Sequence, residues 1–397
     1  MNVEPTVTAK VSRVRLDSID ALRGLIMVIM ALDHVRDFVS HSTIALGGPG
    51  LPPPALFFTR WVTHFCAPIF MLLAGTGAFF YGSRGRTKRE LSWFLVTRGV
   101  WLIVLELTLV RWGWSFSFEY GWIVGQVIWA IGWSMIFLAA LVHLPTRWIA
   151  AIGIAMIVGH NALDGVKVAG TGWLHALWAI LHSGGAIKIG EHLQFFPLYP
   201  LVPWIGVMAA GYALGAVYSW SPERRRSFLI GLGFGMIAAF VALRLPNVYG
   251  DSQRWAPQGS AVSSLMSILN CTKYPPSLLY LLMTLGPALI GLAVAEGRPL
   301  WTPNWLVIFG RVPMFYYLLH LYLAHFVAGV VALLQGSSGT ARWIWSHGPF
   351  PNQPEGFGLL LGGVYLVWVI VVALLYPACR WYAGVKQRSR NPLLSYL

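Results

Sequence analysis

The residues Ser18-Ile19-Asp20-Ala21-Leu22-Arg23-Gly24 open an apolar run that closes on Asp33-His34-Val35-Arg36-Asp37-Phe38. Ionisable side chains inside such a run cost on the order of 3 kcal/mol each to place in lipid, so they face a polar interior and mark chemistry. Arg23 and His34 are 11 residues apart, which on a helix is roughly 16 Å of rise and within about 20° of one face. A guanidinium suits phosphate, and an imidazole suits proton transfer near neutral pH. Asp20, one turn before Arg23, is spaced to pair with it. Asp33 adjoins His34 and is a candidate to assist it, whereas Asp37 reads as the solvated end of the helix.

Further polar groups are scattered through later apolar runs: His41, His64, Glu106, His320 and His325. His64 and His325 read as packing histidines. Glu106 has two readings, a pair with Arg98 two turns earlier or a partner on another helix. In Asn270-Cys271-Thr272-Lys273-Tyr274-Pro275-Pro276-Ser277, two prolines suit a helix start. That stretch is either a capped start with a snorkelling lysine, or an Asn270/Lys273/Tyr274 cluster for an anionic or hydroxyl-rich ligand. Cys66, Cys271 and Cys379 match no metal spacing and read as small buried hydrophobes, so no metal is expected. No P-loop, dinucleotide fingerprint, HExxH or GxSxG motif occurs, which argues against ATP-driven transport by this chain alone.

These groups need elements to hold them, and composition says which. The chain is 57% hydrophobic and 11% charged, with 20 Trp, against roughly a quarter charged in an ordinary soluble domain. Lipid must therefore cover much of it, and a span needs about 20 mostly apolar residues. Candidate spans are 21–40, 56–81, 91–112, 120–142, 148–165, 196–219, 226–246, 276–297, 313–335 and 357–381. The shorter apolar segment 172–187 reads as a re-entrant or interfacial piece. With both termini inside, 17 Lys and Arg fall on the inner side and 7 on the outer, as the positive-inside bias requires. The net charge of +14 is distributed over short loops, which argues against nucleic acid. Of the 11 histidines only His143 falls in an inner loop. The expectation is an all-α polytopic transmembrane helix bundle of about ten spans. It has a cytoplasmic segment 1–20, a membrane domain 21–381 and a cytoplasmic tail 382–397. Residues 1–20 are polar and carry no cleavage pattern. The outer segments 166–195 and 247–275 are expected to fold over the mouth of the bundle.

Arg15-Leu16-Asp17-Ser18-Ile19-Asp20-Ala21-Leu22-Arg23-Gly24 resembles the opening basic-x-x-Ser-x-Asp-x-x-Arg-Gly motif of the heparan-α-glucosaminide N-acetyltransferase catalytic domain family. Pro68-Ile69-Phe70-Met71-Leu72-Leu73-Ala74-Gly75 is similar to its Pro-x-Phe-x-x-x-x-Gly stretch, and Tyr317-Leu318-Leu319-His320 to its late Tyr-x-x-His. Arg23 followed after ten residues by His34 is similar to a pattern of the related acyltransferase-3 family. In the glucosaminide enzymes Asn stands where His34 falls and the catalytic His comes later, His41 being the nearest counterpart here.

The resemblance implies transfer of an acetyl group from cytosolic acetyl-CoA to an amine or hydroxyl of an extracytoplasmic sugar or glycan. It leaves His34 and His41 as alternatives for the base, with Asp33 assisting. Arg23, Arg98 and Lys273 are then candidates for the acyl donor, and Asn270, Tyr274, His320 and Glu106 for the acceptor. The setting would be a bacterial cytoplasmic (inner) membrane, with a homodimer allowed. Two competing classes fit the same polar spans: a transporter or flippase without covalent chemistry, and a structural partner in an envelope-glycan complex.

Overall fold

The computed structural model describes residues 17–41, 51–298, 301–348, 353–389, 391 and 394; Lys10, Arg13, Arg15 and Arg390 lie outside them. The chain begins with α1 (Asp17–Val39), α2 (Pro54–Thr63), α3 (Cys66–Gly82) and α4 (Lys88–Leu105). A π-helical turn, Glu106–Val110, joins α4 to α5 (Arg111–Ser115). Next come α6 (Val127–Leu141), α7 (Thr146–Gly159), α8 (Trp173–Trp178), α9 (Leu201–Gly215) and α10 (Pro222–Arg244). The last third holds α11 (Ala261–Leu269), α12 (Leu278–Ala295), α13 (Asn304–Arg311), α14 (Pro313–Leu334), α15 (Ser338–His347) and α16 (Leu361–Arg388).

Each of the ten expected spans coincides with helix, and among the described residues seven stretches are long and apolar enough to cross a membrane. The other three differ for separate reasons. α1 has the length but carries charges at both ends, α6 is apolar but has 15 residues, and α7 has 14. At 1.5 Å per residue, α6 reaches about 22 Å, short of a ~30 Å hydrocarbon core. α16 continues to Arg388, beyond the expected end at 381.

The second expected span is two helices. Pro68 has no N–H to give to the carbonyl of His64, so a helix running through this point loses that bond. Tyr280 Oη donates to the stranded His64 carbonyl at 2.6 Å, which ties the break to α12.

α1 sits at the centre, packed against α2, α3, α12, α13, α14 and α16. Its closest approach is to α13, where a Cβ on Gly24 would overlap the Leu306 carbonyl and one on Gly310 the Asp20 carbonyl. Hydrophobicity does not drive helices together inside lipid, so close backbone packing through small residues carries the association. The same reciprocal glycine contact joins α3 to α9 through Gly75 and Gly211, and α4 to α6 through Gly99 and Gly132.

The segments between spans also contain a small sheet in the order β1–β3–β2, formed by Trp122–Gly125 (β1), Ile187–Ile189 (β2) and Leu193–Pro197 (β3). β1 runs parallel to β3 with Trp122 opposite Gln194, and β2 runs antiparallel to it with Lys188 opposite Gln194.

The 247–275 segment is held by Arg244, which is 1% exposed and donates to the carbonyls of Gln253, Ser267, Ile268 and Asn270. A buried carbonyl stripped of its donor costs about 1–3 kcal/mol. Arg244→Met is therefore expected to lower the thermal midpoint in detergent and to make 251–275 the first site of limited proteolysis. Unchanged proteolysis of that segment would refute the assignment of Arg244 as its anchor.

Candidate acyl-transfer site

At the Asp17 end of α1, Arg23 donates to Asp20 Oδ1 at 3.0 Å and to the Gly310 carbonyl at 3.0 Å. Arg311 meets Asp17 Oδ1 at 3.3 Å and Asp20 Oδ2 at 3.8 Å. The Asp-x-x-Arg-Gly spacing thus serves a helix crossing: glycine permits the approach, while the aspartate and arginine clip α13 across it. Arg98 is on α4, its guanidinium 5.5 Å from the Phe94 ring centre.

Towards the Val39 end, α1 presents two polar faces. On the first, His34 Nδ1 lies 2.7 Å from His320 Nε2, and the rings stack with centres 4.9 Å apart. His320 Nδ1 lies 3.1 Å from the Tyr316 carbonyl. A carbonyl only accepts, so His320 carries its proton on Nδ1, and in a neutral ring Nε2 is then an acceptor. His34 must donate through Nδ1–H, which leaves His34 Nε2 as an unprotonated lone pair. That nitrogen has no hydrogen-bond partner among the described residues, and His34 is part-exposed although it lies within a helix. Trp114 stands edge-on to His34 with ring centres 5.0 Å apart, and Tyr317 does so at 6.2 Å.

On the second face, Asp33 accepts from Thr63 Oγ1 at 2.9 Å and from Arg36 Nη2 at 2.9 Å. Lys273 Nζ lies 3.9 Å from Asp33 Oδ2 and 5.1 Å from the Tyr274 ring centre. Arg36 also holds Asp37 Oδ1 at 2.7 Å, so Asp37 is an ion-paired residue rather than a solvated helix end. Asp33 and Asp37 are thus each paired with a basic partner, as charges away from water require. Arg36 Nη1 remains buried without a partner.

Lys273 is fixed by its loop. Asp251 accepts from the Thr272 amide, Thr272 Oγ1 and Ser277 Oγ, and Ser277 caps α12. Asn161 Oδ1 accepts from the Leu278 amide at 2.8 Å.

The structure thus gathers His34, His320, Asp33, Lys273 and Tyr274 around one half of α1. It sets other expected residues apart. His41 is exposed beyond the helix, its amide donating to the Leu359 carbonyl. Asn270 is exposed, and its carbonyl is held by Arg244. Glu106 is buried and accepts from the Trp129 amide at 3.1 Å, capping the start of α6 in place of a bond to Arg98. His325 bridges the carbonyls of Gly113 and Ile344, a packing role. All three cysteines are buried and unpaired.

The sequence assigned no role to Trp114 and Tyr317 beside His34, or to Thr63 against Asp33. The Tyr317 hydroxyl is buried with no hydrogen-bond partner, which is costly unless something else completes it. Its place in Tyr317-x-x-His320 was the available sign, since those positions face one side of α14.

The family model of the heparan-α-glucosaminide N-acetyltransferase catalytic region matches residues 15–243. The chain belongs to this family. It is accordingly a membrane-spanning acetyltransferase, and the matched region contains α1, which supplies His34 and Asp33, together with Glu106. α14 and the Lys273 loop of the acetyltransferase lie beyond the match and reach the site through contacts with α1. A comparison with curated proteins gives no match.

Proposed function

We propose that the chain moves an acetyl group from cytosolic acetyl-CoA to an amine or hydroxyl of an extracytoplasmic sugar or glycan, with His34 as general base. The proposed orientation has both termini inside, in a bacterial cytoplasmic membrane, so that the Asp17 end of α1 faces the cytoplasm. The observation that carries the reading is the His34–His320 pair, because the tautomer it dictates leaves a lone pair on His34 Nε2.

The residues fit an anionic thioester in charge. Guanidinium groups of Arg23 and Arg98 suit its phosphates, and the Lys273 ammonium and the unpaired Tyr317 hydroxyl suit its carbonyl oxygen. The bound thioester supplies an activated acetyl carbonyl. His34 Nε2 accepts the proton of the acceptor amine or hydroxyl as that atom bonds to the carbonyl carbon. The C–S bond breaks, and the proton passes to the departing thiolate. The positive charge on His34 is shared with His320 through Nδ1–H, while the Tyr316 carbonyl fixes the second ring. Asp33 steadies the end of the helix and the Lys273 charge. Tyr274, beside Lys273, would orient acceptor hydroxyls, and Glu106 acts through the placement of α6.

The test is transfer of labelled acetyl from acetyl-CoA to a panel of amino sugars and neutral glycans by the purified protein in lipid nanodiscs. Wild type and His41→Ala are expected to transfer label, and His34→Ala is not. Loss in His41→Ala with full activity in His34→Ala would overturn the assignment. Solute uptake without label transfer would replace the whole reading with transport.

A further inference from the structure

A second cluster lies away from the His34 site, where α7 ends. His160 closes α7 and opens a single 3-10 turn, His160–Leu163, which Asp164 follows. His182 comes from a π-helical turn, Ala179–Ser183, that extends α8. One ligand atom from each of His160, Asp164 and His182 lies within 4.8 Å of the other two. His182 Nε2 is 3.2 Å from Asp164 Oδ1, and Asn161 Nδ2 donates to Asp164 Oδ2 at 2.9 Å.

The informative residue is His160. It is 2% exposed, and neither ring nitrogen makes a hydrogen bond; the nearby Pro276 carbonyl does not complete one of ordinary geometry. A buried polar group without a partner is costly, and here both nitrogens of one ring are in that position. The second nitrogen of His182, Nδ1, is likewise buried and unpaired. Each imidazole can offer one lone pair to a cation and keep its proton on the other nitrogen. The geometry points to a divalent transition-metal site, of the zinc class, formed by His160, Asp164 and His182.

The donor set supports that class. Two imidazoles and a carboxylate favour zinc over calcium or magnesium, which take oxygen shells. A tetrahedral shell at ~2.0–2.1 Å sets donors roughly 3.4 Å apart, so the side chains need to close by only ~1–1.5 Å around an ion. Asn161 holds the outer carboxylate oxygen, as partners behind metal ligands do. Three protein ligands leave one position for water. Through Asn161 Oδ1 and the Leu278 amide, the site also reaches the turn that carries Lys273 into α12. A bound ion would therefore clamp the segment 173–183 to the end of α7 and brace the Lys273 loop. Sequence spacing does not reveal the site, because His182 is 22 residues after His160 and belongs to another element.

The experiment uses the full-length protein without an affinity tag, stripped with chelator in detergent and titrated with Zn²⁺, and in parallel with Co²⁺. One Zn²⁺ per chain is expected, with a rise in thermal midpoint and, for Co²⁺, the visible d–d bands of a tetrahedral site. His182→Gln and Asp164→Asn should each weaken Zn²⁺ binding at least tenfold and abolish the cobalt bands. His160→Ala should do the same if it folds, and the first two variants carry the test if it does not. Absence of Zn²⁺ binding by wild type overturns the proposal, as does undiminished binding in His182→Gln, which would trace the ion to other histidines such as His175 or His192. Preference for Ca²⁺ or Mg²⁺ also overturns it.

Discussion

Replacing His34 with alanine lowers kcat/KM for acetyl transfer about 10³-fold in protein that still folds, the size expected when a positioned general base is removed. His320 supplies the sharper test. If it acts only by accepting from His34 Nδ1–H and sharing the charge that develops there, removing it matters only while His34 is present. His320→Phe should then cost about 10–100-fold alone, and the double variant should be no slower than His34→Ala, as for residues acting as a unit. His320→Gln, whose amide oxygen can accept the same proton, should recover part of the loss. A double variant as slow as the product of the two single effects would show that His320 works independently, and the tautomer argument would fall.

The helices were readable from the sequence because lipid demands long apolar runs, and the loop charges follow from the same constraint. Where length alone was ambiguous, structure decided: Pro68 divides one expected span in two, and α6 and α7 are short. The small sheet was not readable, since β1 and β3 lie about 70 residues apart along the chain and meet only across the folded segments. His34 was recognisable as an imidazole in an apolar run, and His320 by its Tyr-x-x-His motif. Their meeting was not, because a separation of 286 residues carries no periodic signal. Glu106 shows the opposite limit. A carboxylate in an apolar run signals a partner, but the sequence cannot say that the partner is the amide end of a neighbouring helix. Arg244 and Asp251 carried no sign in the sequence, because Arg244 holds backbone carbonyls that any sequence would present and Asp251 holds the Thr272 amide and the Thr272 and Ser277 hydroxyls across 21 and 26 residues.

The second large effect is expected at a residue with no chemistry. Gly24 and Gly310 meet where α1 crosses α13, and His34 and His320 each lie ten residues further along their chains. α1 runs unbroken from Gly24 to His34, whereas α13 ends at Arg311 and α14 starts at Pro313, so the crossing fixes where α14 begins and with it the place of His320 beside His34. The Asp20–Arg23–Arg311 contacts lock that register. Gly24→Val places a branched side chain against the Leu306 carbonyl, which cannot retreat as a flexible side chain would. Overpacking of this kind costs about 1–3 kcal/mol, and a displacement of ~1 Å between reacting groups costs about 10²-fold in rate. Gly24→Val should therefore lower the thermal midpoint in detergent, and its folded fraction should still transfer acetyl about 10²-fold more slowly than wild type. Gly77→Val serves as the control, since a Cβ there meets nothing within 4 Å. The same rate in both variants, measured per folded molecule, would show that the crossing holds the bundle together without setting the height of the histidine pair.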